Sequence, residues 1–195
     1  MSRPWTKELV RALAIAAIVL GLAGCTPLFV GGTATGASII DDHRSMGAVV
    51  NDTLIKLRAE AVISADKALR RHTHVDVTSV NGLVLLTGEA ENTIERNAIL
   101  TIVRNIKGVQ RIVNQLRIAP PSTFESRLAD SWITLRVKSA LVANNLNANQ
   151  IKVVTAHRVV YLLGLVQTAQ GNKAALAASL IPHVRSIIEL FEYRP

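Results

Sequence analysis

Few residues in this chain have the types and spacing needed for chemistry. Cys25 is the only cysteine among the 195 residues, so a disulfide does not account for its presence. His72-Thr73-His74 would place two imidazoles on one face of a strand, but no third metal ligand is evident nearby. A solvated strand edge is the simpler reading. Serine, histidine and aspartate all occur, yet no Gly-x-Ser-x-Gly elbow presents a nucleophile. Gly31-Gly32 and Gly36 are not followed by the Lys-Ser or Lys-Thr pair of a phosphate loop. The sequence therefore assigns no catalytic residue, no metal site and no cofactor, and reads as that of a non-enzymatic protein.

The surroundings of Cys25 are more specific. Arg3, Lys7 and Arg11 precede an apolar stretch from Ala12 to Leu22, too short to span a bilayer, which closes on Leu22-Ala23-Gly24-Cys25. This ending resembles the lipobox of bacterial lipoproteins, with Leu first, two small residues and a final Cys. The resemblance implies that residues 1–24 are a signal peptide and that Cys25 becomes the acylated, palmitate-bearing N-terminus. Thr26 in place of Asp then implies sorting to the outer membrane, facing the periplasm.

The elements behind this anchor are set by charge and composition. The formal net charge is +8, and removing residues 1–24, with Arg3, Lys7, Arg11 and Glu8, leaves +6. A basic balance suits an anionic surface. An exported, anchored chain without a nucleic-acid-binding fingerprint points to anionic phospholipid and not to nucleic acid. Residues 25–51, with Gly31-Gly32, Thr33, Thr35, Gly36 and Ser38, read as a lipidated tether reaching on the order of 30 Å. A second break lies at Ala119-Pro120-Pro121-Ser122-Thr123, giving a linker over 119–129.

Between and after these breaks the chain repeats itself. Asp52 to Ala59 matches Asp130 to Val137, Val75 to Gly88 matches Ile151 to Gly164, and Gly108 to Val113 matches His183 to Ile188. Each copy, 52–118 and 130–195, reads helix, strand, strand, helix, strand. Asp52 and Asp130 are positioned to cap the first helices. Ile55, Ala59, Val62 and Ile63 form one apolar stripe, with Ile133, Val137, Ala140 and Leu141 as its counterpart. Asn81-Gly82 signals a two-residue hairpin, whereas His157-Arg158 in the second copy predicts a longer or differently shaped turn. A copy of under seventy residues has a marginal core, so the two should pack together.

The Asp-initiated helix, the Val-x-Val strand, Asn81-Gly82, Gly88 and Gly164, and Gly108-Val109 followed by Val113-Asn114 together resemble the BON domain, a small α/β module of bacterial envelope proteins. The resemblance spans about Asp42 to Tyr193. It implies an α+β fold of two tandem BON domains, each a three-stranded sheet with two helices in the order α-β-β-α-β. Two copies behind a lipobox, with Asp42-His43-Arg44-Ser45-Met46-Gly47 and Asp130-Ser131-Trp132-Ile133-Thr134, resemble dual-BON outer-membrane lipoproteins. That closer likeness implies phospholipid binding, localisation to the division site and a role in envelope integrity. His183 in place of Gly, and the missing Asn-Gly, are departures that bear on turn geometry.

The same resemblance places lipid contact on the first helix of the second copy. At 100° per residue this helix carries a second apolar face, with Trp132, Leu135, Val142 and Ala143 opposite the core stripe. Copy one has a weaker version in Leu54, Leu57 and Ala61, and the distinguishing changes are Leu54 to Trp132 and Glu60 to Lys138. Trp suits a membrane interface, and Arg136 and Lys138 lie in a run without acids from Trp132 to Asn149. The candidate phospholipid-binding residues are Trp132, Leu135, Arg136, Lys138, Ser139 and Val142. Two alternatives stand beside lipid: Trp132 filling the interface between the copies, and an envelope protein partner that makes the chain an adaptor for assembly or cell-wall remodelling.

Overall fold

Both copies form the expected unit, and each owes its sheet to one tight hairpin and one helical crossover. The computed structural model describes residues 45–194. Copy one comprises α1 (Met46–Ala65), α2 (Lys67–His72), β1 (Thr73–Val80), β2 (Leu83–Ala90), α3 (Thr93–Arg104) and β3 (Arg111–Ile118). Copy two comprises α4 (Phe124–Ala143), β4 (Lys152–Ala156), β5 (Val159–Val166), α5 (Thr168–Ser179) and β6 (Ser186–Tyr193). In each sheet the second strand is central, antiparallel to the first and parallel to the third. The short α2 is an addition to the expected order. Asp66 caps it, accepting from Ala68 N at 2.8 Å and Leu69 N at 3.2 Å, and it buries Leu69. The signal segment 1–24, Cys25, the tether as far as Arg44 and the Asp42-His43-Arg44 part of the motif lie outside the described residues.

The first helices begin two turns earlier than the sequence suggests. Ser45 Oγ accepts from Ala48 N at 3.2 Å and Thr123 Oγ1 from Ser126 N at 3.3 Å, so these hydroxyls are the caps. Helix α1 thus starts inside the segment read as tether, and α4 inside the segment read as linker. Asp52 and Asp130 are mid-helix and buried. Val62, expected in the core stripe, is 49% exposed, while Ile55, Ala59 and Ile63 are buried.

Packing explains the unbroken apolar runs of the central strands. Every residue of β2 is buried because both faces of its sheet are covered. Val84 and Leu86 pack with Ile55, Ala59, Ile99 and Val103 of the helices. Leu83 and Leu85 point the other way and meet Tyr161 and Leu163 of β5, joined by Val80 and flanked by Val113, Val154, Ile188 and Leu190. The second copy has its own core, with Ile133, Val137 and Leu141 of α4 against Val160, Leu162 and Val166. The order of layers is therefore helices, sheet, sheet, helices, all within one compact unit. The five side chains buried between the sheets contribute roughly 10 kcal/mol by transfer from water. Trp132 is not among them: it is 59% exposed on the outer layer, which overturns the reading that it fills the interface between copies.

Candidate functional site

Each hairpin turn is held from outside by a carboxylate of the first helix. Asp52 Oδ1 accepts from Gly82 N at 2.9 Å and Ser79 Oγ at 2.7 Å, and its Oδ2 accepts from Asn81 N at 2.7 Å. In copy two, Asp130 Oδ2 accepts from His157 N and Oδ1 from Arg158 N, both at 2.8 Å. A charged acceptor for two adjacent amides is a strong hydrogen-bonding arrangement. It explains why His157 (φ 52°) and Arg158 (φ 63°) form the same two-residue turn as Asn81 (φ 52°) and Gly82 (φ 74°), against the expectation of a different shape. The turns also reach across the copies. Asn81 Nδ2 donates to Glu192 Oε2 at 2.8 Å, and His157 Nε2 stands 2.7 Å from Glu89 Oε1 without an aligned hydrogen bond. Glu89 is buried in β2, and its Oε2 accepts from Ser122 N of the linker at 3.1 Å. Tyr161 OH donates to Gln115 Oε1 at 3.5 Å, and burial pushes its phenol above the ordinary 10.0, so it stays a neutral donor.

On α4, the face away from the core carries the predicted site residues. Trp132, Leu135 and Val142 are 59%, 54% and 60% exposed, and Arg136, Lys138 and Ser139 are exposed beside them. Because the helix starts at Phe124, the stripe extends through Phe124 and Leu128, also exposed. Phe124, Leu128, Trp132, Leu135, Ser139 and Val142 fall within an arc of about 80° by the helical period. Phe124 and Leu128 were missed because the residues before Asp130 read as linker. The repeat offset held the signal, since Met46, Val50, Leu54 and Leu57 form the matching stripe on α1 and are likewise exposed. Charge separates the two helices. Lys56 of α1 pairs with Glu60 at 3.7 Å, whereas Arg136 and Lys138 make no ion pair among the described residues.

Beside Trp132 the α4 stripe borders a cavity of about 310 Å³ lined by Trp132, Arg136, Arg158, Pro182 and His183, with no carboxylate among the described residues of its wall. Arg158 and His183 occupy the backbone positions of Gly82 and Gly108 in copy one. His183 has φ 71° where Gly108 has φ 100°. A non-glycine residue in this left-handed region carries on the order of 1–3 kcal/mol of strain. In copy one the two glycines abut: a Cβ on Gly82 would stand 2.8 Å from the Gly108 carbonyl oxygen. The strand contact is retained in copy two, where Arg185 N donates to Arg158 O at 2.7 Å as Gln110 N does to Gly82 O at 2.8 Å. Arg158 and His183 are therefore brought side by side.

The duplicated architecture has a known counterpart. The model of a family described as the BON domain matches residues 51–120 and 129–195. The chain belongs to the BON-domain family. It is 32% identical over 182 residues to the outer membrane lipoprotein DolP of Haemophilus influenzae, covering 91% of this chain and 94% of that protein. It is 31% identical to a 21 kDa hemolysin of Actinobacillus pleuropneumoniae, covering 78% of this chain and 79% of the other. A solved structure, the C-terminal domain of CdsD from the type III secretion system of Chlamydia trachomatis, aligns with a TM-score of 0.30 at 11% identity, over 74% of this chain and 67% of that one.

In the first BON domain the two histidines do not share a strand face, so the two-imidazole arrangement weighed for a metal is not formed. His72 ends α2 and its Nδ1 meets Glu91 Oε2 at 2.8 Å, while His74 lies in β1 with Nε2 3.6 Å from Asp76 Oδ2. Glu95 joins His72 and Glu91, the three ligand atoms lying within 4.8 Å of one another. Its Oε2 accepts from Glu91 N at 3.1 Å while its own N–H donates to Asn92 Oδ1 at 2.9 Å. The cluster is an N-terminal cap on α3 that incorporates an exposed histidine.

Proposed function

We propose that this chain is an outer-membrane lipoprotein, acylated at Cys25 and facing the periplasm, whose second BON domain binds anionic phospholipid through the outer face of α4. Binding supports envelope integrity at the division site, and the role involves no catalysis. The observation that carries this reading is the exposed stripe of Phe124, Leu128, Trp132, Leu135 and Val142, flanked by Arg136 and Lys138 and backed by a helix face fully committed to its own core. An apolar stripe with an interfacial tryptophan and unpaired cations suits the boundary between acyl chains and anionic headgroups. A relative named as an outer membrane lipoprotein supports the location. No helix among the described residues is long and apolar enough to cross a membrane, and the anchor in this reading is the lipobox-like ending at Cys25. The anchor holds the domain at high effective concentration above the bilayer, where a weak headgroup contact is occupied.

The test is sedimentation of the chain from Thr26 onward, which keeps every described element, with phosphatidylglycerol-containing vesicles. The wild type should co-sediment and Trp132→Glu should not, at unchanged melting temperature, because Trp132 is exposed. Leu54→Glu, at the matching place on α1, should bind as the wild type does. A wild-type chain that sediments only when an envelope protein is added would replace lipid by an adaptor role.

A further inference from the structure

We infer that Arg136, Arg158 and His183 form a clamp for the phosphate of a phospholipid headgroup, seated beside the ring of Trp132. The inference rests on the lipid-binding reading above and identifies the part of the lipid that the second BON domain grips. Three groups able to carry positive charge converge on one cavity whose wall contains no carboxylate among the described residues. They come from three separate places: α4, the β4–β5 turn and the connection between α5 and β6. None of the three forms an ion pair among the described residues. The nearest acid of the helix, Asp130, already accepts the two amides of the turn. The chemistry that fits is a compact anion with several acceptor oxygens, since guanidinium groups donate in forks matched to phosphate. Trp132 both lines the cavity and belongs to the exposed apolar stripe of α4, so acyl chains on that stripe would lie next to the anion, which favours a lipid phosphate over a free one.

The strain at two of these positions supports the same assignment. Copy one solves the identical backbone with Gly82 and Gly108, the residues that left-handed conformations favour. Copy two holds Arg158 and His183 there, in conformations their side chains disfavour, so what the side chains do must be sought in the cavity they line.

The experiment follows from this exchange. Arg158→Gly, His183→Gly and the double variant restore the residues of copy one, so folding should be preserved or improved. Melting temperature should stay level or rise in all three. Vesicle sedimentation with phosphatidylglycerol should weaken roughly five- to thirtyfold in the double variant, the effect of removing one to two cations near an anionic surface. Trp132, the one tryptophan after residue 24, reports the site by fluorescence, and its shift on vesicle binding should need correspondingly more lipid. Inorganic phosphate at millimolar concentration should displace the wild-type protein weakly and the double variant not at all. Displacement equally strong with phosphate alone would assign the cavity to a free anion. A double variant that binds vesicles as tightly as wild type while Trp132→Glu does not would overturn the clamp and leave the lipid-facing stripe standing. Full binding by both variants would remove the stripe as well.

Discussion

At the scale of single residues, the buried carboxylates Asp52 and Asp130 do what no local rule assigns to them. A carboxylate at the head of an apolar helical stripe reads as a cap, and the amides it truly serves lie 27 to 30 positions away in sequence. Asp130→Ala removes the acceptor for two amides in a turn whose own residues resist it, and should lower stability by about 2–4 kcal/mol, read from urea melts. Adding Arg158→Gly should recover part of that loss, because glycine relieves the φ 63° backbone. A full recovery would show that the carboxylate only offsets strain. An absent recovery would show that it holds the turn by hydrogen bonding alone. Asn81-Gly82 was legible because its signal is local. Its counterpart was not, because the deciding atom is on another element.

At the scale of elements, the limits of the first helices were obscured by the same aspartates and by the paired prolines. Ser45 and Thr123 carried the true signal, together with the match of Met46 and Val50 to Phe124 and Leu128. The faces of α4 were legible from the helical period alone, so the assigned residues stand exposed as a group. On this face, Arg136→Glu with Lys138→Glu should weaken vesicle binding by more than tenfold, since two attractive charges become repulsive. Raising salt from about 0.1 M to about 1 M shrinks the screening length from about 10 Å to about 3 Å and should weaken wild-type binding in the same sense. Binding that ignores both changes would mean that the stripe acts by apolar contact alone. At the other end of the interaction, Cys25→Ser should abolish acyl labelling and release the protein from membrane fractions, because buried acyl chains contribute about 0.8 kcal/mol per methylene.

At the scale of the whole molecule, the two BON domains share a core that neither has alone. The small size of each copy announced that the two pack together, but which strand faces meet depends on contacts between copies and was not written in the spacing. A fragment ending at Ile118 would expose Leu83, Leu85 and Val113 and leave Glu89 without the linker amide it receives. It should associate in sedimentation velocity and lose cooperative melting, whereas a sharply melting monomer would show the copies to be separable. Glu89→Gln in the intact chain should lower the melting temperature of both domains together. The carboxylate that grips each hairpin has one more consequence, for the history of the duplication. A turn whose shape is imposed by a neighbouring helix is freed from the need to encode that shape, so its sequence can drift while the fold persists. After the gene doubled, one copy could keep Asn-Gly and the other could trade it for His-Arg. At the turn of residues 157–158 the fold therefore tolerates side chains that the turn itself would not select, which leaves them open to a new role.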